Sequence, residues 1–132
     1  MVPELSFLYP STKQNNMIRT IIIEDEPVSR DMLTLMLQRH KEDIEIIDAC
    51  ANPADGIASI SRHQPDLIFL DIQMPKMNGF EMLKQINNIN FEVIFTTAFD
   101  QYAINALRIS ALDYLLKPVD DEDLTIAISN CR

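Results

Sequence analysis

A chain of 132 residues has room for one domain with one real core. With 47% apolar and 23% charged residues it has the balance of an ordinary globular protein, and a net charge of −9 excludes a nucleic-acid surface, which would need the opposite sign. No run approaches the roughly 20 apolar residues that span a membrane, and Cys50 and Cys131 match no metal-ligand spacing, so they read as reduced thiols in a cytoplasmic protein.

The opening MVPELSFLYPSTKQNN, residues 1–16, lacks the basic flank and long apolar stretch of a signal peptide. Two prolines, a polar tail and no helical or strand period make it a disordered N-terminal extension or an added leader, with Met17 a candidate native start. From Ile18 the run IRTIIIE is β-branched and ends in acids, which reads as a first strand. Pro27 then opens a helix with Val28, Met32, Leu35 and Met36 at helical spacing. IEIIDACA alternates more and reads as a second strand nearer an edge; Asn52-Pro53 caps and opens a second helix carrying Ile57 and Ile60. DLIFLD is a continuous apolar third strand ending on Asp71. Gly79 begins a third helix with Phe80, Leu83 and Ile86 on one side. FEVIFTT is the fourth strand, followed by a helix containing Tyr102, Ala103, Ala106 and Leu107. LDYLL is the fifth strand and DEDLTIAIS the last helix, its acids from Asp120 to Asp123 complementing the helix dipole.

Five strands alternating with five helices imply an α/β fold in which a parallel sheet is covered on both faces. The expected topology is flavodoxin-like and doubly wound, with strand order 2-1-3-4-5. Ligands bind such sheets beyond the carboxyl ends of the strands. Strand 1 ends there in Glu24-Asp25-Glu26, strand 3 in Asp71, strand 4 in Thr96-Thr97-Ala98 and strand 5 in Lys117-Pro118. Right-handed crossovers bring strands 1 and 3 together, so carboxylates converge. At about 5 Å and an effective dielectric of about 20, each pair repels by roughly 3 kcal/mol. A cation relieves that repulsion, and an all-oxygen ligand set of this charge suits Mg²⁺. With Lys117 arriving from the other side, the assembly fits phosphoryl transfer to a carboxylate: cations neutralise the transferring oxygens while Asp71 attacks in line.

The strings IIIEDEP, PDLIFLDIQMPKMNGFEML, the TTA after VIF, and DYLLKP resemble a response regulator receiver domain of a two-component system, over residues 17–132. AFDQYAINALRISALDYLLKPV is similar in particular to receivers of the LytTR (LytR/AlgR) class, whose DNA-binding output domain follows the receiver and is expected to be absent from this chain. The resemblance implies that Asp71 is the phosphoacceptor for a sensor histidine kinase. It implies that Asp25 and Asp71 ligate Mg²⁺ directly, Glu24 through water and Gln73 through its main-chain carbonyl. It makes Thr97 the switch hydroxyl, Tyr114 the switch aromatic and Lys117 the ion-pair partner of the phosphoryl group, and it makes the Lys117-Pro118 peptide commonly cis. The first acid is Glu where Asp is commoner, which bears on the water-bridged geometry.

The resemblance also implies a switch rather than an enzyme, one that assists its own Mg²⁺-dependent phosphorylation and dephosphorylation. When phosphorylated it would form a homodimer through the fourth helix, fifth strand and fifth helix, with no membrane or nucleic-acid contact of its own. Taken singly, each residue has a plainer reading: Asp71 as a turn residue, Lys117 as a surface lysine, Thr97 and Tyr114 as packing residues. Met74, Met77 and Met82 read as packing, and His40 and His63 take neither a metal nor a catalytic role. A haloacid-dehalogenase-type phosphatase would also want Asp, Mg²⁺ and Lys. It places a second Asp two residues after the nucleophile, however, where this chain has Gln73, an amide that cannot act as the acid. A receiver that only binds partners would be the third reading, though no site residue is missing.

Overall fold

The strand runs pair into one parallel sheet in the order 2-1-3-4-5. A computed structural model describes residues 17–131, so the expectation for residues 1–16 lies outside the described residues. The strands are β1 (Ile18–Ile23), β2 (Ile44–Cys50), β3 (Leu67–Asp71), β4 (Glu92–Thr97) and β5 (Asp113–Leu116). The helices are α1 (Pro27–Gln38), α2 (Pro53–His63), α3 (Gly79–Lys84), α4 (Ala103–Arg108) and α5 (Asp121–Ser129). As its alternating pattern suggested, β2 is an edge strand, and the β3 run LIFLD is buried throughout.

Side chains alternate across a strand, and the sheet accordingly divides the core in two. Ile22, Phe69 and Ile94 face α1 and α5, where Leu37, Leu124 and Ala127 meet them. Ile21, Ile68 and Phe95 face the other way, toward Ile60 of α2, Met82 of α3 and Ala106 of α4. Fully burying each of the large side chains contributes roughly 1.5–3 kcal/mol, so the two layers fix the sheet that carries the site.

Local signals set the helix starts. Asn52 accepts from Asp55 N at 2.8 Å before Pro53, and Asp120 accepts from the Glu122 and Asp123 amides, a capping role beyond the dipole complement read for its acidic run. Asn78 and Glu81 form a reciprocal capping box at α3. One expectation of face fails in part: of Val28, Met32, Leu35 and Met36, only Met36 is buried. In α1 the buried residues are Leu33, Met36 and Leu37, while Val28, Met32 and Leu35 are 68%, 53% and 59% exposed. That helix is apolar on most of its circumference, and the stripe chosen by packing is the one beside Ile22. In α4 only Ala106 is buried and Leu107 points outward, 76% exposed. Among the described residues no helix is long and apolar enough to cross a membrane.

Candidate functional site at the strand ends

The register places the site. Asp71 pairs with Thr96, and β1 lies on the other side of β3, so the last residues of three neighbouring strands share one end of the sheet. One carboxylate oxygen each from Glu24, Asp25 and Asp71 lies within 4.8 Å of the others. Glu24 and Asp71 are buried, 2% and 3% exposed, and Asp25 is half-buried. Lys117 reaches in from the end of β5, with Nζ 2.6 Å from Glu24 Oε1 and 3.6 Å from Asp71 Oδ2.

The main chain around these groups is held tightly. Arg30 Nη1 donates to the Glu24 carbonyl at 2.8 Å, Glu26 N donates to Glu24 Oε2 at 3.1 Å, and Gln73 N donates to Asp71 Oδ1 at 3.3 Å. Lys117 N donates to the Thr97 carbonyl at 2.7 Å, and a cis Lys117-Pro118 peptide follows, as the resemblance implied. Gly79 N donates to the Ile72 carbonyl, and a Cβ at position 79 would sit 2.7 Å from the Asp71 carbonyl oxygen. Only glycine permits α3 to start so close to the strand.

Burial pushes the Asp71 carboxyl up to about 8, the Glu24 charge adds to the rise, and Lys117 opposes it. Three carboxylates with one lysine among them carry excess negative charge, and the donor set is all oxygen. That chemistry fits a small hard divalent cation such as Mg²⁺. Both Glu24 oxygens already have partners, Lys117 and the Glu26 amide, so a water between Glu24 and a cation would have to share with them.

Thr97 is fully buried and its Oγ1 accepts from Phe99 N at 3.2 Å. Tyr114 is half-buried against the α3/α4 face of the sheet; its hydroxyl donates to the Phe99 carbonyl and accepts from Tyr102 N at 3.2 Å. Burial raises the pKa of that phenol. Every expected site residue therefore lies in this one region, with Tyr114 already joined to the loop after β4.

Three participants were not foreseen. Arg30 lies six residues beyond Glu24 in the first turns of α1, a spacing that could have suggested it. Glu26 accepts from Ser29 N at 3.0 Å as the α1 cap, a role legible from its place before Pro27. Tyr102 accepts from Gln73 Nε2 at 2.6 Å, and no local pattern announces that.

Comparison with known proteins follows the same lines. The family model for the response regulator receiver domain matches residues 20–129. The transcriptional regulatory protein BtsR of Shigella flexneri is 42% identical over 117 residues, which cover 88% of this chain and 48% of that protein. An uncharacterised response regulatory protein of Yersinia pestis is 44% identical over 109 residues, 82% of this chain and 45% of that protein. The chain thus spans about half the length of the curated relatives it matches. Among solved structures, the response regulatory domain of protein mrkE from Klebsiella pneumoniae aligns with a TM-score of 0.78 and 26% identity, covering 86% of this chain and 94% of that one.

Proposed function

We propose that Asp71 is the phosphoacceptor of this chain, which belongs to the response regulator receiver domain family and is a signalling switch. The observation that carries this reading is the buried Asp71 carboxylate, set among two further acids and within ion-pair distance of Lys117.

The donor is a sensor histidine kinase. An Asp71 carboxylate oxygen attacks phosphorus in line, the N–P bond to the donor histidine breaks, and the electron pair returns to the imidazole. Lys117 moves from its Glu24 partner toward the incoming phosphoryl oxygens, a short path because Nζ already lies between Glu24 and Asp71. Mg²⁺ held by Asp25 and Asp71, by Glu24 and by the Gln73 main-chain carbonyl would supply the charge that keeps Asp71 ionised and neutralises those oxygens. Val28 and Met32 stand exposed beside the site, where a protein donor that presents its histidine to Asp71 can cover them.

The Thr97 hydroxyl gives its hydrogen bond to the new phosphoryl group, which disturbs its contact with Phe99 N and so the loop that holds Tyr114. Tyr114 is bonded to that loop at Phe99 and Tyr102, so a change at Thr97 reaches it directly, and phosphorylation shifts the switch by its differential affinity for the two states. The face beside Tyr114 carries exposed Ile104, Leu107, Leu116 and Ile126, with Arg108 and the α5 acids around them. This supports a phosphorylation-favoured two-fold dimer through α4, β5 and α5, where opposite charges on one patch can meet across the axis. The run from Ala98 to Val119 supports a LytTR DNA-binding output as the element controlled, in a cytoplasmic transcription regulator.

Incubation with acetyl phosphate tests the reading. Wild type should gain one phosphoryl mass only with Mg²⁺, and Asp71→Asn should gain none; equal labelling of the two proteins would overturn it.

A further inference from the structure

From one hydrogen bond that spans two loops we infer that Tyr102 is a positioning residue, holding the Gln73 side chain as a strap across the mouth of the phosphorylation site. The inference rests on Asp71 being the phosphoacceptor and deepens that reading.

The two walls of the site on the β4 side come from separate loops. One follows β3, where Gln73 stands two residues beyond Asp71 and its own amide donates to Asp71 Oδ1. The other follows β4 and ends at Tyr102, the residue before α4. Since Asp71 and Thr96 are register partners, these loops leave the sheet side by side. Gln73 Nε2 donates to Tyr102 Oη at 2.6 Å and closes the gap between them. Nothing comparable is needed on the β1 side, where Glu24, Asp25 and Lys117 already crowd the carboxylate.

Tyr102 is well placed to hold the strap rather than merely touch it. Its ring lies 6.1 Å from that of Phe80, which in turn lies 4.8 Å from that of Phe95 in the core. Its main-chain N–H donates to Tyr114 Oη. The hydroxyl is thus anchored from below and tied to the same tyrosine that borders α4. A Gln73 side chain held there hinders anything approaching Asp71 from solvent. Two reactions need that approach. In loading, the Asp71 oxygen displaces acetate from acetyl phosphate, forming one P–O bond and breaking another. In decay, water attacks phosphorus, the P–O bond to Asp71 breaks, and inorganic phosphate leaves with the carboxylate restored. An access strap slows both by the fraction of time it is closed.

The test uses Tyr102→Phe, which keeps the ring and deletes the hydroxyl, Gln73→Ala, and the double variant. Loading from acetyl phosphate and decay after its removal are followed by intact mass, with Mg²⁺ affinity measured alongside by calorimetry. Each single variant should speed loading and decay by the same factor of about five, the factor expected for loss of a net hydrogen bond of about 1 kcal/mol. The double variant should be no faster than either single one, because both break the same bond. Mg²⁺ affinity should stay within about twofold, which a general loosening of the site would not allow. Unchanged rates, a change in only one of the two reactions, or additive effects in the double variant would overturn the strap. Wild type that takes no phosphoryl group at all would instead overturn the assignment of Asp71.

Discussion

Replacing Asp71 with asparagine should make the metal-free protein more stable at neutral pH, although it destroys the reactive group. The carboxyl has a folded pKa of about 8 against an ordinary value of 3.8. The folded state therefore binds the proton more tightly than the unfolded chain. Stability from this group is fully present below pH ~4 and is lost as pH rises through the interval to ~8. At pH 7 the ceiling on that loss is about 3 pH units, or about 4 kcal/mol. Adjustment of Lys117 and water in the cleft reduce it, and about 2 kcal/mol is the working figure. Asparagine keeps an oxygen for the Gln73 amide, and Lys117 keeps its closer partner Glu24, so little is given up in return. Urea melts in EDTA from pH 4.5 to 8.5 would show the variant ahead by about 2 kcal/mol at pH 7, with the difference shrinking toward pH 4.5. Mg²⁺ at ten times its dissociation constant should add about 1.4 kcal/mol to wild type and much less to the variant. Parallel pH profiles for the two proteins, with equal stability at pH 7, would refute the reasoning.

Gly79→Ala forces a Cβ to within 2.7 Å of the Asp71 carbonyl oxygen, so it should cost about 1–3 kcal/mol in thermal or urea melts and slow labelling of Asp71. Lys76 has φ of 72° beside the site, and Lys76→Gly should raise stability by about 0.5–1 kcal/mol in the same melts. Leu107 is 76% exposed on α4; sedimentation of Leu107→Glu with beryllofluoride should show a monomer where wild type dimerises at about 100 μM, ten times the dissociation constant of a contact worth about −7 kcal/mol.

The strands, the helix starts and the residues at the strand ends were legible because they depend on features the sequence carries locally, whereas the order 2-1-3-4-5 came from the flavodoxin-like pattern and is set by long-range pairing. The β-branched run IRTIII and the continuous apolar run LIFLD are strands on either reading of their faces, and Asn52-Pro53 and the acids after Val119 mark helix starts by hydrogen bonds within a few residues. Strand ends then put Glu24, Asp25, Asp71, Thr97 and Lys117 together by topology alone. The face of α1 was not legible. Val28, Met32, Leu35 and Met36 read as the apolar set, yet packing against Ile22 and its neighbours keeps only Met36 of these and adds Leu33 and Leu37. The bond from Gln73 to Tyr102 was hidden for a related reason: it joins residues 29 apart through the course of two loops. The close pairing of Lys117 with Glu24 was likewise invisible, since Glu24 was expected to face a cation through water.

The central claim is that phosphorus bonds to Asp71, and chemical trapping tests it most directly. Borohydride reduces an acyl phosphate to the alcohol, so an aspartyl phosphate becomes homoserine. The protein is labelled with acetyl phosphate and Mg²⁺, reduced, digested and sequenced by mass spectrometry. Homoserine should appear at position 71, and only when Mg²⁺ was present. Homoserine at position 25 with Asp71 intact, or phosphate retained on any other residue, would contradict the account.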